Sequence, residues 1–96
     1  MANEELAERV KRYRKLTEQA LKKVSVKGGL SGKEQRIVND FLDMAHNYLS
    51  DGKHFEGEGK LELALAAYSY AHAWLDAGVR AGFLDGKQDD RLFALP

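Results

Sequence analysis

The chain has 96 residues, 44% of them hydrophobic, with nine glycines, one proline, no cysteine, and fifteen Lys and Arg balanced by fifteen Asp and Glu. This size suits one domain and this apolar share suits a packed core, while the missing thiols exclude a disulfide framework and a thiolate metal centre. A neutral balance also argues against a dedicated nucleic-acid binder, which is usually basic.

The charge is unevenly placed. Residues 1–36 hold ten Lys and Arg against five Asp and Glu, a balance of +5, and residues 37–96 hold the reverse, −5. Such halves attract each other when they pack, mostly through weak solvated pairs. The basic half also offers an anionic partner a landing surface. The opening MANEELAERVKRYRK is charged throughout and lacks the apolar run of a signal peptide, and the absence of cysteine fits an intracellular compartment.

The first predicted helix covers residues 3–24. Asn3 is a good N-cap, and Glu4 and Glu5 follow where the helix dipole favours negative charge. Leu6, Val10, Tyr13, Thr17, Ala20 and Val24 recur at alternating fours and threes, a core-facing stripe widened by Leu16 and Leu21. Arg9, Lys11, Arg12, Arg14, Lys15, Lys22 and Lys23 make the outer face. KRYRK at residues 11–15 resembles a nucleic-acid patch with an interleaved aromatic, but Tyr13 falls on the apolar stripe and reads as core. Gly28-Gly29 then turns the chain. Ser31, with Glu34 three residues on, forms a capping box for a second helix over residues 31–56. Its stripe is Ile37, Phe41, Ala45, Tyr48, Gly52 and Phe55. Gly52 costs about 1 kcal/mol in a helix interior, but Phe55 keeps the register, so the helix is expected to run through it. Gly57-Glu58-Gly59 ends it.

The third predicted helix, residues 60–84, carries two apolar seams. Leu61, Ala64, Tyr68, Ala71, Leu75 and Gly78 form one; Leu63, Ala67, Tyr70, Trp74 and Ala77 form the other. Only Glu62, Ser69, Asp76 and Arg80 make a clear polar stripe. A helix this apolar must be covered over most of its circumference. A membrane span is not expected, because His72, Asp76 and Arg80 are expensive in lipid. Gly78 and Gly82, four apart, either admit a close neighbour or mark a fraying end. Three helices with short connections predict an all-α fold, an antiparallel up-down-up three-helix bundle of residues 1–84 followed by a tail, residues 85–96. Its expected core is Leu6, Val10, Phe41, Ala45, Tyr48, Leu65, Tyr68 and Leu75.

YAHAWLDAG at residues 70–78, preceded by Phe55 and the glycine turn at residues 57–59, resembles the archaeal helical-bundle family known as domain of unknown function 357. The likeness covers roughly residues 41–84. It implies a compact three-helix bundle from an archaeal, cytoplasmic source, and it carries over no activity and no catalytic residue.

Asp43 and His46, then Asp51 and His54, give D-x-x-H twice on one helix. This echoes the carboxylate-x-x-His pairs of di-metal bundles, but those stand on different helices. Here the two pairs are about 12 Å apart along one helix, and no metal or other cofactor is expected. His72, Asp76 and Arg80 stand four apart and can form one ladder. It reads either as a surface network or as a His–Asp pair beside Trp74, poised for proton transfer or for gripping a ligand. No nucleophile with a motif around it stands nearby, so no catalytic residue is assigned. The candidate binding residues are Tyr70, His72, Trp74, Asp76 and Arg80. The function read from them is a protein–protein interaction module, most simply a homodimer anchored by Tyr70 and Trp74. The alternative is a nucleic-acid or nucleotide binder using the basic first helix.

Overall fold

The structure is a computed structural model that describes residues 2–96. Three helices form the expected all-α bundle: α1 (Ala2–Lys23), α2 (Gly32–Gly57) and α3 (Leu61–Arg80). Both α1 and α2 pack chiefly on α3 and touch each other little. The helix with two apolar seams is therefore the one with two neighbours. Asn3 lies within α1 rather than ahead of it, and the expected cap by its side chain lies outside the described residues.

Helix α2 begins as expected. Glu34 N–H donates to Ser31 Oγ at 3.1 Å, and Ser31 N–H donates back to Glu34 Oε1 at 2.8 Å. The helix runs through Gly52, and the reason is steric: a Cβ at this buried position would collide with the Tyr68 ring. Gly59, at φ 76°, then reverses the chain. Lys60 N–H reaches Phe55 O at 2.9 Å and Gly59 N–H reaches Glu56 O at 3.0 Å, the two bonds of a Schellman motif.

Helix α3 stops at Arg80, four residues short of the expected end. Gly82, at φ 82°, is neither a packing notch nor a fraying end but the left-handed stop of a second Schellman motif. Phe83 N–H bonds Gly78 O at 3.0 Å and Gly82 N–H bonds Val79 O at 3.1 Å. The freed segment β2 (Leu84–Asp85) pairs antiparallel with β1 (Ser25–Val26), Val26 opposite Leu84. Leu84 is buried against Gly78, where a Cβ would strike its side chain.

Val10, Ala45, Tyr68 and Leu75 of the expected core are buried, and Leu6, Phe41, Tyr48 and Leu65 are partly buried. The tail supplies core as well. Leu92 and Phe93 are buried with Ala20, Leu75, Val79 and Leu84 at one end of the bundle. Tyr13 corrects the sequence reading: it is 37% exposed, between the fully buried Val10 and Thr17 of its own stripe. It sits at the edge of the α1–α3 contact, beside a shallow pocket that Ser69 and Ala73 help to line.

Candidate functional site

The five candidate residues divide between two sides of α3. Tyr70 and Trp74 face α2, where they continue a row of rings. Tyr48 meets Tyr70 edge-on at 4.4 Å between centroids, Tyr70 meets Trp74 at 6.0 Å, Trp74 meets Phe41 at 5.2 Å and Phe41 meets Phe83 at 6.4 Å. Tilted and edge-on rings at these distances attract one another beyond their area burial. The row leads from inside to outside. Trp74 is partly buried, and its Nε1 is buried without a hydrogen-bond partner, so anything approaching this face meets ring carbons. Tyr70 is 45% exposed and Leu63, two turns before it, is 51% exposed. Together with Tyr48, Phe55 and Ala66 they line an open apolar groove of about 380 Å³ between α2 and α3.

His72, Asp76 and Arg80 point to the other side, and each grips a backbone group of the tail. His72 Nε2 donates to Leu92 O at 2.5 Å, Asp76 Oδ1 accepts from Ala94 N–H at 3.0 Å, and Arg80 Nη1 donates to Leu95 O at 2.8 Å. A carbonyl can only accept, so Nε2 carries a proton, and Nδ1 stands 3.1 Å from Thr17 Oγ1. His72 Nε2 and Asp76 Oδ1 are 4.0 Å apart, further than a hydrogen bond. Within the fold this ladder clamps the tail. Both ring nitrogens of His72 have partners within the fold, and the side chain also lines the pocket beside Tyr13.

A network missed in the sequence ties the other end of the bundle. Tyr68 Oη donates to Glu56 Oε1 at 2.7 Å, and Arg14 Nη1 donates to Glu56 Oε2 at 2.5 Å, so one carboxylate joins all three helices. Burial pushes the Tyr68 phenol well up, and its bond to Glu56 adds to this. At Glu56 burial also pushes upward, but the hydrogen bonds from Tyr68 and Arg14 outweigh it and leave the carboxyl below its usual value. Arg14 stands four residues after Val10 and three before Thr17, so its stripe position was the available signal. His46 and Asp51 are exposed, and His54 pairs with Glu58 at 3.5 Å. Among the described residues no group of three or more His, Asp or Glu could hold a metal ion, and no helix is long and apolar enough to cross a membrane.

The family model described as a protein of unknown function, DUF357, matches residues 12–84. The chain belongs to that family. The DUF357 match spans the three-helix core and the YAHAWLDAG segment, and stops before Leu92, Ala94 and Leu95, the residues that the ladder holds. No curated protein and no solved structure matches the chain.

Proposed function

We propose that this DUF357 protein is a protein–protein interaction module that pairs with a second copy of itself through the α2–α3 groove. The observation that carries this reading is the exposure of Leu63 and Tyr70, 51% and 45%, on one apolar groove. A large aromatic left half in water beside an exposed leucine is the usual core of a contact. The neighbouring surface favours self-pairing. Ala66 and Ala77 are exposed on α3, and such small side chains let a second helix approach closely. Tyr70 lies about midway along α3, so in an antiparallel pair centred on it the contact repeats itself across a two-fold axis. The molecule is 49 Å long and 23 Å wide, long enough for a side-by-side pair to bury the standard area of about 800 Å² per partner.

The absence of cysteine makes a direct test simple. Tyr70→Cys places a thiol beside the two-fold axis, within the short Cα separation that a disulfide requires. It should oxidise to a covalent dimer at low protein concentration, whereas Gln35→Cys, exposed near the start of α2, should not. Equal, slow cross-linking of both variants would count against the pairing.

A further inference from the structure

On the opposite side of α3, two features from distant parts of the chain meet. Lys11, Arg12, Lys15 and Gln19 run along the exposed face of α1, and Arg91 of the tail joins them to line a polar groove of about 320 Å³. Arg91 is held there by its Nη2–H, which donates to Gln19 Oε1 at 3.3 Å. Among the described residues no carboxylate forms an ion pair with any of these four cations, although Lys23 and Lys87 nearby are paired with Asp89 and Asp85. Glu8 is the one carboxylate that lines the groove, so the four cations leave it net positive, and a bound anion lowers their mutual repulsion.

The second feature is an apolar pocket of about 270 Å³ lined by Tyr13, Leu16, Ala73 and Arg91, with the Ser69 hydroxyl and the tail-holding His72 and Asp76 at its wall. Leu16 and Arg91 line both spaces, so the basic groove and the aromatic pocket lie side by side. Tyr13, 37% exposed, has the Arg12 guanidinium 5.9 Å from its ring centroid. A row of cations that leads to an aromatic platform, with hydrogen-bonding groups beside it, matches what a strand with unpaired bases requires. A duplex keeps its bases stacked and would use the cations alone.

We propose that this face binds single-stranded nucleic acid, with Lys11, Arg12, Lys15 and Arg91 on its phosphates and one base seated against Tyr13. The test is fluorescence anisotropy with short labelled single-stranded RNA and DNA of mixed sequence, on the full chain. Single-strand affinity falls with log salt at a slope of about −0.7 per phosphate engaged, so four contacts give a loss of about fiftyfold between about 50 and 200 mM salt. Lys15→Ala with Arg91→Ala should weaken binding at least about tenfold, and Tyr13→Ala about tenfold for single strands. Lys33→Ala with Arg36→Ala, exposed on α2 away from the groove, should leave binding unchanged. All these side chains are exposed, and a thermal melt by circular dichroism checks that each variant folds. The proposal is overturned by no saturable binding up to about 100 μM protein at low salt. It is also overturned if duplex binds as well as single strand and Tyr13→Ala changes nothing, or if the Lys33/Arg36 pair matters as much as the Lys15/Arg91 pair. Equally effective competition by a free mononucleotide would assign the site to nucleotides instead and overturn the strand reading.

Discussion

Gly52 and Glu56 stand one turn apart on α2, and both answer to Tyr68. The ring of Tyr68, fully buried, lies against the bare Cα of Gly52, while its hydroxyl bonds Glu56. On an exposed helix Gly→Ala gains about 1 kcal/mol. At Gly52 the added methyl must displace a packed ring, and overpacking of this kind costs about 1–3 kcal/mol. Gly52→Ala is therefore expected to lower the urea midpoint, and a higher midpoint would show that the ring moves aside freely. Glu56 gives a pH dependence of definite sign. Its carboxyl is held below the usual value in the folded state, so its contribution is complete above the unfolded carboxylate range and is lost as pH falls through the folded value. Glu56→Gln should cost about 1–2 kcal/mol at neutral pH. The gap between wild type and variant should close as the denaturation series moves to acid; a gap constant with pH would remove the carboxylate from this role.

At the scale of elements, the tail behaves as a fourth piece of the bundle. Phe93 packs over Gly86 and Val79 in the core, and His72, Asp76 and Arg80 hold the backbone on either side of it. Phe93→Ala should cost about 3–5 kcal/mol, the range for a buried phenylalanine. His72→Ala gives up bonds to Leu92 O and Thr17 and should cost about 1–3 kcal/mol, against a few tenths for an exposed helix pair. Urea titrations that leave both variants near wild type would mean the tail is not bound as described. Helical periodicity made the three helices and their shared faces legible in the sequence, because 3.6-residue spacing repeats over twenty or more residues. The ends were less legible. Gly59 and Gly82 both carry Schellman stops, but only the first stood where the apolar pattern also broke. At Gly82 the pattern continued through Phe83 and Leu84, which turn out to serve a β pairing with Ser25–Val26, a contact between segments almost sixty residues apart. The ladder itself was visible as spacing, and its occupant was not, since nothing in the order of residues tells a helix face which distant backbone it will hold.

For the whole molecule, α3 serves two neighbours and still leaves apolar surface in water. The second seam was legible as a seam, and packing then split it. Ala67 is buried and Trp74 partly so against Phe41, while Leu63 and Tyr70 remain at the surface. Which part of an over-wide apolar arc stays uncovered depends on how the neighbouring helices cross it, and periodicity does not carry that angle. The groove that results faces away from the basic surface of α1, so self-association and anion binding should be separable by mutation. Light scattering coupled to size exclusion tests the central claim most directly. Wild type is expected at twice the 10.8 kDa chain mass, and Leu63→Glu or Tyr70→Glu, both on exposed positions, at the mass of one chain with helicity retained. A wild-type protein that stays at 10.8 kDa at the highest attainable concentration would contradict it.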